Sequence, residues 1–384
     1  MSATDRTEGG IDLIALARGE GRPDLGAAIA EGRRQMEICN ACRYCEGYCS
    51  VFPAMTFRRA FTDGDMIHLA NLCHNCRGCY YACQYAPPHE FAVNVPRALA
   101  EIRTESWSGF VWPGAAKRVF SHNVTALSAG VLAAIAVVVG LMTPYSSAAV
   151  AARSFYALMP HGTMVALFGS VFLFALVSMG LSVRRYWREA GSPSVDARSL
   201  LRAIGDVLVM KQLSGGHGEG CNYEHEDVFT NRRRWLHQAT LYGFLLCFGA
   251  TSAGTVLHYV FDQPAPYGLF SLPKLLGISG GVLLCVGTAG LLLLKRGSDR
   301  GLEARQARGM DNAFTILLFA VSASGLVLYA LRGTGLLEAM LALHLGAVLA
   351  LFATMPYSRM VHGLYRLAAL VRHQHEVQTR RPMG

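Results

Sequence analysis

Long apolar segments alternate with shorter polar connections over the C-terminal two thirds of this sequence. Each apolar segment approaches the roughly 20 residues that a helix needs to cross the hydrocarbon core of a bilayer. The pattern therefore predicts a bundle of six transmembrane helices. The predicted spans are Val119–Met142, Pro160–Val183, Trp235–Phe261, Leu272–Leu294, Ala313–Leu331 and Leu336–Pro356.

Basic residues are distributed unevenly among the connections between these spans. The gap 184–234 holds nine Lys or Arg residues, and the gap 295–309 and the tail from Arg359 hold five each. The alternate connections hold about one each. Because cytoplasmic loops of membrane proteins are enriched in Lys and Arg, we expect both termini to lie in the cytoplasm. The expected location is a bacterial inner membrane.

Composition agrees with a membrane protein that carries a polar N-terminal part. Hydrophobic residues make up 52% of the chain and charged residues only 16%, whereas soluble domains carry about a quarter charged residues. The net charge of +9 is compatible with nucleic-acid binding. However, the basic residues flank apolar spans instead of forming a stripe on a soluble domain, so no nucleic-acid partner is expected. Residues 1–35 contain no apolar segment typical of a signal peptide.

Two cysteine runs of identical spacing lie in the N-terminal part. Residues 39–49 read C-N-A-C-R-Y-C-E-G-Y-C, and residues 73–83 read C-H-N-C-R-G-C-Y-Y-A-C. Both have the C-x2-C-x2-C-x3-C spacing of cubane iron–sulfur ligation, in which the fourth cysteine of a run binds the other cluster. We therefore predict two [4Fe–4S] clusters. Their ligands would be Cys39, Cys42, Cys45 and Cys83 for the first and Cys73, Cys76, Cys79 and Cys49 for the second.

A zinc site and a disulfide framework are the alternatives for these cysteines. Zinc sites use C-x2-C pairs with longer gaps and four ligands per ion, and disulfide frameworks are typical of small secreted proteins. Between the runs, apolar residues at Met66, Ile67, Leu69, Ala70 and Leu72 predict a helix instead of a hairpin. The expected fold is therefore all-α, with a helical ferredoxin-like domain carrying two clusters before a six-helix transmembrane bundle.

Three regions follow from these patterns. Residues 1–38 are expected to form cap helices on the cluster domain. Residues 39–117 hold the two-cluster domain and a linker over 101–117, whose tryptophans, including Trp107, have the composition of a membrane interface. Residues 118–384 are expected to form the six-span membrane domain with a cytoplasmic C-terminal tail.

Histidines in and beside the spans lie at two depths. His237 and His362 lie near the cytoplasmic face, and His258 and His344 lie near the opposite face. Polar residues inside spans are costly and usually functional. We expect one or two haem b groups, held by His237 with His362 and by His258 with His344, because bundles bind cofactors between facing helices. The alternative is that these histidines are solvated at the interface or form packing hydrogen bonds.

Other cysteines and histidines give weaker signals. His122 and His161 lie at the ends of the first two spans, where water could solvate them. His217, Cys221 and His225 lie in a glycine-rich connection. Metal binding is one interpretation of this connection, but an ordered loop that contacts the cluster domain is the favoured one.

Three stretches resemble the tricarballylate-utilisation protein B family, also called CitB. They are I-C-N-A-C-R-Y-C-E-G-Y-C, N-L-C-H-N-C-R-G-C-Y-Y-A-C-Q-Y-A-P-P-H-E-F and R-R-R-W-L-H. The resemblance covers nearly the whole chain and implies a membrane protein with two [4Fe–4S] clusters. It further implies an FAD-dependent partner dehydrogenase that converts tricarballylate to cis-aconitate, and transfer of the flavin's electrons to the membrane quinone pool. A related domain is fused to a flavoprotein in the cobalamin-ring-contraction enzyme CobZ, which implies haem as a further cofactor.

The expected function is therefore that of a redox subunit in a flavoprotein dehydrogenase:quinone oxidoreductase system. No catalytic residue is assigned, because the redox chemistry belongs to the cofactors. The chain lacks a G-x-G-x-x-G motif opening a βαβ unit, so the flavin is expected on the partner. The alternative is a redox component of a corrinoid-modifying or heterodisulfide-reductase-like enzyme, and a redox sensor without turnover is a further rival.

Overall fold

The computed structural model is built almost wholly of helices, which confirms the all-α prediction. Within the part of the chain that it describes, the only β-structure is an antiparallel hairpin of β1 (Cys221–Asn222) and β2 (Phe229–Thr230). The described residues are 24–117, 123–145, 155–215, 220–222 and 228–379.

From Asp24 onward, where the structure describes the chain, five helices form the N-terminal domain. The segment between the cysteine runs is helical, as its apolar pattern indicates, and a capping box of Thr62 and Asp65 starts its helix. Gly32 lets two helices approach closely, because a Cβ there would lie 2.5 Å from the side chain of Ile102. The helices are α1 (Leu25–Cys42), α2 (Val51–Thr56), α3 (Asp63–Leu72), α4 (Gly78–Tyr81) and α5 (Val95–Phe110).

Six helices of the C-terminal part are long and apolar enough to cross a membrane, as the sequence predicts for a multi-pass membrane protein. These are α6, α8, α10, α11, α12 and α13 of the following series. The series is α6 (Asn123–Met142), α7 (Phe155–Leu158), α8 (His161–Glu189), α9 (Ala197–Leu208), α10 (Arg232–Tyr259), α11 (Leu272–Arg296), α12 (Arg305–Leu331), α13 (Leu337–Thr354) and α14 (Val361–Thr379).

Helices α10 and α11 pack backbone to backbone. A Cβ built at Gly243 would lie 2.6 Å from the main-chain nitrogen of Leu284, and one at Gly280 would lie 2.8 Å from that of Cys247. Small residues allow such close approach between transmembrane helices, where van der Waals packing supplies much of the attraction. This contact holds the helix that carries His237 and His258 in a defined position.

The C-terminal tail is a helix, α14, that packs against the N-terminal domain. Arg58 bonds Asp65 (2.7 Å) and Glu376 (2.6 Å), and Arg372 bonds the same two carboxylates (2.8 and 3.0 Å). Burial opposes ionisation of Asp65, but the charges and hydrogen bonds of its partners outweigh burial and hold its pKa at about 2. The buried network therefore fastens α14 to α3.

Two boundaries differ from the sequence-based expectation. Helix α1 runs through the predicted border at residue 38 and carries Cys39 and Cys42 in its last turn. The predicted linker 101–117 begins as the second half of α5, in which Trp107 is fully buried and donates to Asn71 (2.8 Å). Trp107 therefore belongs to the core instead of the membrane interface, because helical phase places it on the packed face of α5.

Replacing Glu376 by Gln is expected to weaken the docking of α14, because two buried guanidinium groups then share one carboxylate. The expected loss of stability is about 3 kcal/mol, the magnitude of breaking a buried ion pair. A lower melting temperature of the purified protein, with faster proteolysis at α14, measures it.

The matched control is Glu101→Gln, which removes a more exposed i,i+4 pair with Arg97. Such pairs contribute less than about 1 kcal/mol. Equal melting temperatures for the two variants would contradict a stabilising role of the buried network.

Candidate functional site

The first cysteine set, Cys39, Cys42, Cys45 and Cys83, is gathered from both runs. Burial and then the neighbouring thiols of Cys83, Cys45 and Cys42 raise the pKa of Cys39 to about 12. Burial and then Cys83 and Cys42 raise the pKa of Cys45 to about 12. The fourth cysteine of the second run therefore lies with the first three of the first run.

The second cysteine set, Cys73, Cys76, Cys79 and Cys49, shows the reciprocal exchange. Burial and then Cys76 and Cys73 raise the pKa of Cys49 well above its usual range. Burial and then Cys76, Cys49 and Cys73 do the same for Cys79. The fourth cysteine of the first run thus lies among the first three of the second.

Left-handed backbone turns bring the sulfurs of each run together. Arg43 (φ 55°) and Arg77 (φ 67°) occupy the same position in the two runs, and both adopt the left-handed conformation. Arg77 is fully buried and bonds Glu303 (2.6 Å), so it is not solvated. The repeated motif therefore repeats this left-handed position. The rest of the backbone differs, because Cys39 and Cys42 end a helix whereas Cys73 is extended and Asn75 is left-handed (φ 52°).

The two sets fit iron–sulfur cubanes better than single metal ions. In a zinc site all four thiolates lie about 2.3 Å from one ion, whereas a cubane binds each thiolate at a different iron. Buried thiols with raised pKa values need a strongly cationic partner to ionise, and iron supplies that charge.

The first set is accessible, and aromatic side chains surround it. A cavity is lined by Cys39, Cys42, Cys45 and Cys83, together with Tyr44, Tyr80 and Tyr85. Tyr44 is 69% exposed. The cavity therefore connects the first cysteine set to the protein surface.

Three arginines bind the main chain of residues 70–75, which we term the Cys73 segment. Arg103 of α5 donates to the carbonyls of Ala70 (2.9 Å) and Cys73 (2.8 Å). Arg366 of α14 donates to the Cys73 carbonyl (3.2 Å). Arg233 of α10 donates to the carbonyls of His74 (2.9 Å) and Asn75 (2.8 Å). The second cysteine set is therefore fastened to the transmembrane bundle and to α14.

The β-hairpin covers the second set. The main-chain N–H of Asn222 donates to the Cys76 carbonyl (2.9 Å), and Cys221 is fully buried beside Arg233. This contact agrees with an ordered loop against the N-terminal domain. The structure leaves His122, His217 and His225 outside its described residues.

His237 and His362 lie together, with ring centroids 5.9 Å apart. Two imidazoles on opposite sides of one iron have centroids about 6 Å apart, given metal–nitrogen bonds of about 2.0 Å. Nδ1 of His362 donates to the Arg359 carbonyl (2.6 Å), which leaves Nε2 as its lone-pair nitrogen. Nδ1 of His237 is buried without a hydrogen-bond partner. These two side chains could hold a haem between them.

The other two predicted histidines have different partners. His258 stacks on His161, with ring centroids 4.2 Å apart, and Nε2 of His161 lies 3.0 Å from the Tyr259 hydroxyl. Nδ1 of His344 lies 3.1 Å from the Ser324 hydroxyl. The contacts thus pair His258 with His161 instead of His344. Haem ligation by His258 and His344 stays a prediction.

The sequence did not predict a role for Arg103 or Arg366. It also did not predict that the C-terminal tail forms a helix. Arg366 lies four residues after His362, and Arg233 lies four residues before His237. This spacing was a usable signal, because residues four apart share a helix face. Their common target in the Cys73 segment, however, is set by tertiary packing.

Comparison with known proteins finds similarity over most of the chain. Residues 116–383 match the family model described as citrate utilization protein B, and residues 32–108 match its Fer4-like domain. The chain is 46% identical over 349 residues to the citrate utilization protein B of Escherichia coli, covering 89% of this chain and 91% of that protein. No solved structure matches. The Fer4-like match indicates iron–sulfur binding and a redox role. The chain belongs to the citrate utilization protein B family.

Proposed function

We propose that this protein is the membrane-bound electron-transfer subunit of a dehydrogenase:quinone oxidoreductase system. Its partner would be an FAD-dependent flavoprotein of the tricarballylate dehydrogenase type, which forms cis-aconitate and reduced flavin. The name of the Escherichia coli relative refers to citrate utilization, which supports a tricarboxylic acid as the substrate of the system. The two electrons of the flavin would leave singly, because a [4Fe–4S] cluster exchanges one electron at a time.

The observation that carries this proposal is the double link between the Cys73 segment and the paired histidines. Arg233 and His237 are four residues apart on α10, and His362 and Arg366 are four residues apart on α14. Four residues span about 6 Å of helix. Both arginines donate hydrogen bonds to carbonyls of the Cys73 segment. The rings of the two histidines meet one helical turn away from these arginines. The second cluster site and the histidine pair are therefore neighbours.

This arrangement supports one order of transfer. The first cysteine set opens to the surface beside Tyr44, where a flavoprotein could dock. Cys45 lies among the neighbours of Cys79, so the two sets adjoin. Electrons would enter at the first set, cross to the second and continue toward the histidine pair and the membrane quinone.

His237 and His362 would hold a haem b, which supplies one-electron chemistry when bound. The Arg359 carbonyl orients the His362 ring and selects its tautomer, as outer hydrogen bonds do for metal-bound histidines. A second haem at the opposite face would use His258 with His161 or His344. The quinone would bind within the transmembrane bundle.

The distribution of basic residues supports a bacterial inner membrane location with both termini in the cytoplasm. The N-terminal domain would then meet its flavoprotein there. An alternative is that the same chain serves a corrinoid-modifying or heterodisulfide-reductase-like enzyme. The Fer4-like match is compatible with that alternative, whereas the name of the relative favours the dehydrogenase system.

Pairs of cysteine substitutions are expected to reveal the exchange of ligands between the runs. Cys39→Ser and Cys83→Ser should each lower iron from about eight to about four atoms per chain, because each removes the same cluster. The double variant Cys39→Ser/Cys83→Ser should also retain about four. Cys73→Ser/Cys83→Ser should retain about none. Iron and acid-labile sulfide are assayed on anaerobically purified protein, with Cys247→Ser as the control that keeps both clusters.

Ligation of each cluster by a single run predicts the reverse pattern, in which Cys73→Ser/Cys83→Ser retains half of the iron. Stoichiometric zinc in the unsubstituted protein would contradict the cluster assignment altogether.

Electron transfer through the histidine pair is tested with the full chain in vesicles, reduced flavin mononucleotide as donor and ubiquinone-1 as acceptor. The protein is expected to accelerate quinone reduction and to show a haem α-band in a reduced-minus-oxidised spectrum. His237→Ala and His362→Ala should each abolish the band of this pair and lower the rate at least about tenfold, because removing the transfer step between cluster and quinone leaves only slow direct reactions. His375→Ala, at a partly exposed pair with Asp196, is the control.

Absence of the band from the unsubstituted protein would refute haem at this site. Intact clusters without quinone reduction would favour the sensor hypothesis.

A further inference from the structure

The two cysteine sets differ in the number of cationic side chains around them. Around the first set, the residues that line the described cavity include no Lys or Arg. The Cys73 segment of the second set is instead bound by three guanidinium groups. The two sets share a sequence motif, so this difference arises wholly from what packs against them.

Two of these guanidinium groups are buried without a carboxylate. Arg103 is 2% exposed and Arg366 is 8% exposed, and the Nε of each has no hydrogen-bond partner. None of the ion pairs among the described residues includes either of them. An unpaired buried charge is strongly destabilising. Both side chains reach the Cys73 carbonyl, so the compensating negative charge is to be sought at Cys73.

The other buried arginines show what ordinary pairing looks like in this protein. Arg58 and Arg372 share Asp65 and Glu376, and Arg77 bonds Glu303. The fold thus supplies carboxylates to buried guanidinium groups elsewhere. At the Cys73 segment the acceptors that Arg103 and Arg366 bond are carbonyl oxygens, whose partial charges do not neutralise a cation. The buried carboxylate of Asp311 also acts on Arg103, but its ion pairs are with Lys295 and Arg359.

We infer that Arg103 and Arg366 are positioning residues that compensate the negative charge of the second cluster and raise its reduction potential above that of the first. The inference rests on the proposed function, because it requires clusters at both cysteine sets. Four thiolates and a cubane carry net negative charge, and nearby positive charge and hydrogen bonds stabilise the reduced state. No bond forms or breaks: one electron leaves the first site and one electron is accepted at the second.

This difference in reduction potential would set the direction of electron transfer. A higher potential at the second site draws electrons away from the surface-accessible site and holds them beside His237 and His362. The arginines would therefore set the direction of flow by their charge, while their hydrogen bonds fix the distance to the bundle.

The test is an EPR-monitored redox titration of the full chain in detergent. Cys39→Ser and Cys73→Ser first assign the two signals. Arg366→Gln keeps an N–H donor for the Cys73 carbonyl but removes the charge, so it is expected to lower the midpoint of the second cluster and leave that of the first unchanged. Arg103→Gln is expected to act in the same direction. Arg366→Lys retains the charge and should retain the midpoint.

Arg97→Gln, an exposed position on the same helix as Arg103, is the control and should change neither midpoint. An unchanged second midpoint in both Gln variants, an equal fall in Arg366→Lys, or a shift confined to the haem would each overturn the inference. A shift of the haem midpoint alone would indicate that Arg103 and Arg366 compensate the charge of haem propionates instead. Absence of both EPR signals from the unsubstituted protein would instead refute the proposed function, so the two failures are distinguishable.

A different observation carries a second inference, about helix α9. Its buried positions Ser199 and Ala203 lie on one face, while Leu201, Ile204 and Leu208 are exposed on another. Exposed arginines at 198 and 202 flank that apolar face. This is the composition of helices that lie in the plane of a membrane surface.

Contacts with α10 place this helix at the depth of the membrane surface. The Val209 carbonyl accepts from Arg234 (3.0 Å) and Gln238 (3.2 Å), and the Leu208 carbonyl accepts from the Tyr242 hydroxyl (2.9 Å). Further along α10 the large exposed hydrophobic side chains include Leu245, Phe248 and Val256. The apolar face of α9 is therefore continuous with the lipid-facing surface of a transmembrane helix.

We propose that α9 is an in-plane anchor whose apolar face is buried in the leaflet on the side of the N-terminal domain, with its arginines at anionic headgroups. The test places photoreactive p-benzoylphenylalanine at Leu201 or Leu208 in the full chain, in vesicles of phosphatidylglycerol and phosphatidylethanolamine. Lipid adducts are expected at both positions, and none at the control position Arg97. Adducts only to protein, or none at either position, would overturn the proposal.

Discussion

Hydrogen bonding of three arginines to one short stretch of main chain joins the two halves of this protein. Arg103, Arg233 and Arg366 come from an N-terminal helix, a transmembrane helix and the C-terminal helix, and all three donate to the Cys73 segment. A guanidinium group offers five donors in a rigid fork, so it can bind carbonyls from several directions while packed in a core. The second cysteine set is thereby held at a defined place relative to the bundle.

A second set of buried contacts supports this junction by holding α14 against the N-terminal domain. The paired carboxylates Asp65 and Glu376 and the arginines Arg58 and Arg372 hold α14 against α3. Since α14 also carries His362 and Arg366, its docking positions a proposed haem ligand and a contact of the Cys73 segment together. Electron transfer depends steeply on distance, so a helix that carries both groups has reason to be rigidly fastened.

The two cysteine sets share one sequence motif but differ in their exposure and in the side chains around them. One opens through a cavity with tyrosines toward the surface, where a soluble partner can approach. The other is covered by the β-hairpin and surrounded by cationic side chains next to His237 and His362. In the proposed function, this asymmetry would provide one site where electrons enter and one where they leave, and it follows from packing partners instead of from the ligands.

The sequence by itself determined the local and periodic features. Six apolar stretches of membrane-spanning length indicated the bundle, because the bilayer imposes a length on every helix that crosses it. The repeated cysteine spacing predicted an exchange of the fourth cysteine between the runs, and the thiols lie together in that arrangement. Ligation of iron by these sets stays a prediction. The tertiary structure alone decided that Val361–Thr379 form a packed helix, that Trp107 is a core residue, and that His258 meets His161. Arg366 and Cys73 are 293 residues apart, and no period or spacing records which distant side chain fills a given space.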